Sequence, residues 1–429
     1  MLEVECKLGI GQVRSVGEKP SPGKPVINAL QMLKSPLQTP RPIEKAPPPP
    51  ASRVSLMAFV LDGESEASMN ACFAQLAVPT PMIKRGGLAG ALRYLGTERS
   101  PESIIVDISG ADMPASQIHD LAGLCEPGVV VIAIGDRNDV ALYRDLVRAG
   151  VSEYIVKPVT AQLLAKALAG IPHSGERAPI SRKLGKVVAV VGARGGVGAT
   201  TLAIHLALHL ANQQSRRVML LDLDLHTGGC ALALNLKPTP GLREALANPL
   251  RIDSVFLDRT MAVHGERLFV LSAEETLRTE ADFTAAAVDT LLGALRTQFH
   301  YIIADIPRIP ASPYWQALDT ADLRIIVADQ TLRSVRDTVR LREGFGAHRA
   351  EHSNMLIINR SGEGGRRAMT LEEMARVKLH PNFVIPFRPN QFTALGPLRS
   401  GAFIDVVSAL AGEISGRAAA RKPWWRFAA

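Results

Sequence analysis

The stretch Lys186-Val187-Val188-Ala189-Val190-Val191-Gly192-Ala193-Arg194-Gly195-Gly196-Val197-Gly198-Ala199-Thr200-Thr201 decides the fold. Its first part is short, apolar and β-branched, without alternation. That pattern suits a strand over Lys186–Val191 buried on both faces of a parallel sheet. The turn Gly192–Gly198 lets backbone N–H groups converge on an anion, and a helix over Thr200–Asn212 adds positive partial charge at its N-terminus. A second strand, Val218–Leu223, ends in acidic residues. The turn reads as a phosphate loop in which Ala199 fills the usual lysine position.

Further buried-type strands follow at Arg267–Leu271, Tyr301–Ala304, Leu323–Ala328, Met355–Ile358 and Phe383–Ile385. Helices lie between them, such as Ala281–Gln298 and Ser334–Phe345, and Ile404–Ile414 reads as a closing helix. This predicts a mainly parallel, doubly wound α/β domain over 186–416. Four features place a nucleotide in it. Thr200 is positioned for Mg²⁺ and Thr201 for a phosphate oxygen. Asp222 and Asp224 end a strand. Asp305 closes Tyr301–Ala304 before Ile306-Pro307, a placement that suits hydrated Mg²⁺. Asn359 ends another strand with an amide able to bond an adenine edge. His205 and His209 share a helix face but have no acidic partner, so a packed or surface helix face is expected rather than a metal site.

Residues 53–172 alternate strand and helix in five β/α units: Ser55–Leu61, Ala67–Leu76, Pro79–Lys84, Ala89–Leu95, Ser103–Ile108, Gln117–Cys125, Val129–Ile134, Val140–Ala149, Tyr154–Val156 and Ala161–Leu168. A flavodoxin-like domain is expected. Its polar residues resemble those of response-regulator receiver domains. Asp62 closes the first strand, Asp107 stands at the phosphoacceptor position and Lys157-Pro158 follows the fifth strand. The acidic pair is incomplete, since Leu61 and Gly63 flank Asp62, and Gly135 occupies the switch Ser/Thr position. The resemblance therefore implies a vestigial site, Asp62, Asp107 and Lys157, in a domain kept for docking or dimerisation.

The chain has 429 residues, 47% of them apolar, enough for two or three cored domains. No apolar run approaches the roughly 18 residues of a membrane span, and no secretory signal is visible. Four scattered cysteines read as reduced thiols. The net charge of +8 permits anionic partners without requiring them. Residues 1–52 are a proline-rich arm expected to be disordered, and 173–185 a polar linker. In the tail, 417–429, Arg417, Arg421, Lys422 and Arg426 surround Trp424, Trp425 and Phe427. That composition suits weak attachment to inner-membrane lipid, or a groove on this domain or a partner.

The nucleotide-binding features resemble the ParA/MinD group of deviant Walker ATPases. With the receiver-like domain and linker in front, the arrangement looks like the TadZ/CpaE family of pilus-assembly proteins. The resemblance implies that ATP and Mg²⁺ are held by Arg194, Gly195, Gly196, Val197, Gly198, Ala199, Thr200, Thr201, Asn359 and Pro386, with Thr200, Asp305 and Asp222 on the metal. It puts Arg194 at the group's signature lysine, reaching across a homodimer, and Asp224 at the water-activating carboxylate. It also implies a cytoplasmic protein at the inner membrane, polar in location, that organises a pilus secretion machine with partner proteins. Ala199 removes a charge from the β/γ-phosphates, a loss of roughly 10²–10³ in rate for such a contact, so slow hydrolysis or binding without turnover is expected. Two alternatives stay open at this point. One is a partitioning ATPase that binds DNA through Arg333, Arg336, Arg340 and Arg342, although Asp337 and Glu343 interrupt them. The other, a dinucleotide-dependent oxidoreductase, lacks the expected glycine spacing.

Overall fold

The computed structural model describes residues 54–76, 81–169, 184–214, 216–280, 282–345, 353–388 and 400–416. The arm, most of the linker and the basic aromatic tail lie outside them. Two sheets carry the architecture. The first joins β1 (Leu56–Val60), β2 (Met82–Arg85), β3 (Ser103–Asp107), β4 (Val130–Gly135) and β5 (Glu153–Val156) in the order β2-β1-β3-β4-β5. All four pairings are parallel. Helices Gly63–Gln75, Gly87–Thr97, Pro114–Leu124, Val140–Ala149 and Ala161–Ala169 connect and cover it.

The second sheet contains β6 (Lys186–Gly192), β7 (Val218–Asp222), β8 (Ala262–His264), β9 (Leu268–Leu271), β10 (Tyr301–Ile306), β11 (Leu323–Ala328), β12 (Ser353–Ser361) and β13 (Phe383–Pro386). Their order is β13-β12-β11-β6-β10-β7-β9-β8. Every pair is parallel except the edge hairpin β8–β9. Two doubly wound α/β sheets in sequence are the expected fold class. β6 shows why its sequence does not alternate. Val187, Ala189 and Val191 join a core under helices Ala285–Arg296, Ser312–Thr320 and Leu332–Gly344. Val188 and Val190 join another under Ala199–Asn212 and Ala402–Ser415. With both faces covered, each position has an apolar demand.

His205 and His209 follow the packed-face expectation on helix Ala199–Asn212. His205 is buried edge-on against Phe403, ring centroids 5.1 Å apart. Its Nδ1 lies 2.8 Å from the Thr201 carbonyl.

A seam of buried charge joins the two sheets. Arg217, just before β7, donates to Glu126, just before β4, at 3.0 Å. Arg267 reaches the Gly96 carbonyl at 3.3 Å.

The carboxyl ends of β1 and β3 form a crevice at a strand-order reversal. Asp62 sits differently from its expected place. The strand stops at Val60, and Asp62 caps helix Gly63–Gln75, its Oδ1 accepting from the Ser65 N–H at 2.7 Å. Asp107 is fully buried and accepts from Lys157 Nζ at 2.7 Å, Ser109 N at 3.0 Å and Leu61 N at 3.3 Å. Lys157 also stands 3.8 Å from Asp62, so one ammonium serves both carboxylates.

The switch position is closed by packing. A Cβ on Gly135 would lie 2.7 Å from the Tyr154 hydroxyl, which donates to the Arg137 carbonyl at 2.8 Å. Restoring a hydroxyl with Gly135→Ser should therefore cost about 1–3 kcal/mol through overpacking. Urea unfolding checks this; a midpoint equal to wild type would show that Tyr154 yields freely.

Candidate functional site

The crevice outside the carboxyl ends of β6, β7, β10 and β12 gathers the nucleotide-type residues. The loop after β6 turns on two left-handed glycines, Gly196 at φ 79° and Gly198 at φ 93°. A Cβ on Gly195 or Gly196 would meet nothing within 4 Å, so the loop's rim is open to a ligand. Gly198 is fixed from the other side, where a Cβ would fall 2.5 Å from Asn359 Nδ2. That amide donates to the Val197 carbonyl at 2.8 Å, and its Oδ1 accepts from Arg360 N at 2.9 Å. The residue expected to read a base is thus engaged in holding the loop. Pro386 ends β13 opposite Ser361.

The acidic cluster follows from sheet register. Asp305 lies opposite Asp222 in the β10–β7 ladder, and paired residues of parallel neighbours share a face. Asp222 is 1% exposed and Asp305 6%. Asp222 accepts from the backbone N–H of Asp224 and of Cys230, both at 3.1 Å. Asp305 has the Thr200 hydroxyl and the Cys230 thiol as neighbours, the sulfur 3.9 Å away. Burial pushes Asp305 up to about 7; the Thr200 hydrogen bond opposes that, and the Asp222 and Asp224 charges add to it. Burial likewise raises Asp222, against the pull of its backbone donors, and holds the Cys230 thiol well above its usual range. Ligand atoms of Asp222, Cys230 and Asp305 lie within 4.8 Å of one another.

These residues fit a hard divalent cation. Two buried carboxylates face each other with a hydroxyl, a neutral thiol and amides as hydrogen-bonding neighbours, and a cation would relieve their mutual cost. Oxygen donors suit Mg²⁺ and the thiol does not. Thr200, Asp305 and Asp222 would hold the ion, and Cys230 would serve as a neutral S–H donor to Asp305.

Arg194 and Asp224 have other engagements in this conformation. Arg194 pairs with buried Asp329 at the end of β11 and donates to the Gly195 carbonyl at 3.1 Å. Burial alone would raise Asp329, but hydrogen bonds from Thr331 and Arg194 hold it below its usual value. The structure therefore points Arg194 into its own domain rather than outward. Asp224 closes a turn, accepting from Thr227 N at 2.8 Å and Thr227 Oγ1 at 2.6 Å. Ala199 is packed beside the core and brings no charge. Thr201 lies in the first turn of helix Ala199–Asn212, its carbonyl facing His205.

Sequence reasoning missed Asp329, Gly228, Cys230 and Arg360. Asp329 had a visible signal, since it follows the apolar strand Leu323–Ala328 just as Asp305 closes its own. Gly228 is required because a Cβ there would lie 2.5 Å from both Asp222 Oδ2 and the Asp224 carbonyl. On helix Leu332–Gly344, Arg336 pairs with Asp337 at 2.8 Å and Arg342 donates to the Lys378 carbonyl at 2.9 Å. Two of the four arginines offered as a DNA face are thus tied within the domain.

Residues 185–345 match the AAA_31 family model, described as an AAA domain. An uncharacterized protein of Mycobacterium tuberculosis is 27% identical over 254 residues, covering 58% of this chain and 68% of that protein. The septum site-determining protein MinD of Synechocystis is 28% identical over 182 residues, 41% of this chain and 65% of its own length. Among solved structures, the chain is similar to a pilus assembly protein CpaE from Caulobacter crescentus, 30% identical with a TM-score of 0.26, covering 28% of this chain and 100% of that one. Among the described residues, no helix is long and apolar enough to cross a membrane.

Proposed function

We propose that residues 186–416 form an ATP- and Mg²⁺-binding switch domain of the ParA/MinD kind. In this reading the whole chain is a homodimer that organises a pilus secretion machine at the cytoplasmic face of the inner membrane. The observation that carries the nucleotide reading is the crevice in which an open glycine loop, Thr200 and the buried pair Asp222–Asp305 converge. The family match over 185–345 supports it. The pilus reading draws on the order of a receiver-like domain, 53–172, a linker, 173–185, and the switch domain.

When bound, the magnesium nucleotide supplies a γ-phosphoryl group for transfer to water. The chain's own part is to bind and orient. Loop amides of Gly195–Gly198 would receive phosphate oxygens. Thr200, Asp305 and Asp222 would hold the metal, and Asp224 would orient water once released from its turn. With Ala199 in the loop, no lysine of the loop itself meets the γ-phosphoryl in the transition state, so turnover is slow. Lys157 already occupies Asp107 and Tyr154 fills the switch space, so the first domain acts as a docking or dimerisation module that needs no phosphorylation. The tail supplies contact with anionic lipid.

Wild-type protein should melt at higher temperature with millimolar MgATP, by an amount equivalent to about 2.7 kcal/mol at a hundredfold excess over Kd. Thr200→Ala should reduce the shift and removal of Mg²⁺ should abolish it. Light scattering on the same samples should show association with ATP. An unshifted wild type would end the nucleotide reading, and a monomer in both conditions the dimer.

A further inference from the structure

Arg360 has a backbone that non-glycine residues rarely adopt, with φ at +58°. That left-handed turn directs its side chain back over the glycine loop. Nη1 donates to the Gly196 carbonyl at 3.1 Å, while Nη2 pairs with Glu363. The guanidinium carbon stands 5.7 Å from the centre of the Phe387 ring. Asn359 and Arg360, consecutive in sequence, bond Val197 and Gly196, consecutive in the loop. Strain of this kind persists where surrounding contacts hold it, and it concentrates at ligand sites.

The loop lacks its lysine, and Arg194 is bound to Asp329. Arg360 approaches from the β12 side and its side chain keeps 37% exposure, so its fork has room to move. Guanidinium groups recognise phosphate oxygens with two parallel hydrogen bonds. We propose that Arg360 places the positive charge on the nucleotide's phosphates that Ala199 does not supply. Glu363 holds the guanidinium beside the loop and releases it when a stronger anion arrives. This rests on the nucleotide reading above and adds the residue that makes a lysine-free loop competent.

The test is MgATP affinity by calorimetry on full-length wild type, Arg360→Ala, Ala199→Lys and the double variant. Arg360→Ala should weaken binding about tenfold to a hundredfold, the range for a lost charged hydrogen bond. Ala199→Lys in the Arg360→Ala background should recover most of that loss, because the lysine delivers charge to the same phosphates from another backbone position. A purely structural role for Arg360 would not be rescued that way. Wild-type affinity in Arg360→Ala, or a loss that Ala199→Lys leaves in place, would overturn the proposal while leaving the nucleotide reading intact. No binding by wild type would overturn both.

Discussion

Arg217→Ala should destabilise the protein by about 3–5 kcal/mol, the cost of breaking a buried ion pair by deleting one partner. Arg217 is 4% exposed. Its guanidinium sits between two rings, 4.6 Å from the Phe269 centroid and 4.8 Å from that of Phe299. It reaches Glu126 at 3.0 Å and Asp258 at 3.6 Å. Truncation would leave the buried Glu126 carboxylate facing Arg99 at 3.6 Å as its remaining ion-pair partner. It would also open space between two phenylalanines. The pair Arg217→Met with Glu126→Gln should be far milder than Arg217→Ala, because it removes the stranded charge and keeps volume. Denaturant midpoints of the singles and the double measure the coupling. Since the pair joins the two sheets, Arg217→Ala should also split one unfolding transition into two. A stability within about 0.5 kcal/mol of wild type by the same titration, the size of an ordinary surface change, would show the seam contributes little.

The same seam carries a pH dependence of known sign. His300 Nδ1 accepts from the Arg217 N–H at 3.1 Å, so the folded state needs the neutral ring. Burial first, and then the Arg216 charge, push His300 down to about 4, against a partial pull from Glu126. The unfolded ring takes its proton near the ordinary value of about 6.5. Between those values the unfolded chain binds more protons, so this group's contribution to stability is lost as pH falls from about 6.5 towards 4.

What the sequence made legible was decided by length and burial. Strands of four to seven residues covered on both faces announce themselves as apolar runs, as β6 and β10 do. The stretch between Asp224 and Arg267 holds helices Cys230–Ala233, Gly241–Ala247 and Ser254–Thr260. Each is too short to develop helical periodicity, so no element was expected there. Helix starts follow the capping residue rather than composition. Thr284 accepts from Ala287 N and begins the helix that composition alone would start at Ala281. Thr331 does the same for Ser334. At the site, strand-end acids were readable because apolar strands make them conspicuous. The partner of Arg194 was not, because a nucleotide-binding expectation assigns that cation to a phosphate and leaves Asp329 without a role. Gly228 lies in a turn and Cys230 opens the short helix Cys230–Ala233, and their importance appears only when that segment folds back onto Asp222.

Asp305→Asn should raise the melting temperature of the nucleotide-free protein at pH 8 and remove its response to MgATP. The first half follows from the buried cluster. Burial and the neighbouring Asp222 and Asp224 charges push the Asp305 carboxyl up to about 7, above the ordinary 3.8. The folded state therefore binds more protons than the unfolded chain between about 4 and 7. Stability contributed by the protonated form is present at low pH and lost as pH rises through that window. At pH 8 the ionised group costs at most about 4 kcal/mol, the free-energy equivalent of that displacement. Asparagine keeps the shape, accepts the Thr200 hydroxyl and carries no charge, so it escapes the cost. The second half follows from chemistry: a neutral amide is a poor replacement for a carboxylate on Mg²⁺. Wild type should gain about 2.7 kcal/mol at a hundredfold excess of ligand over Kd, and the variant almost nothing. The order of the two proteins should then narrow or invert between empty and loaded states, read by calorimetric melting at pH 8 with and without MgATP. A variant that melts below wild type without ligand would mean the carboxylate is a structural acceptor, and the cluster would lose its standing as a metal site. A variant that still gains the full shift would move the metal duty from Asp305 to another oxygen.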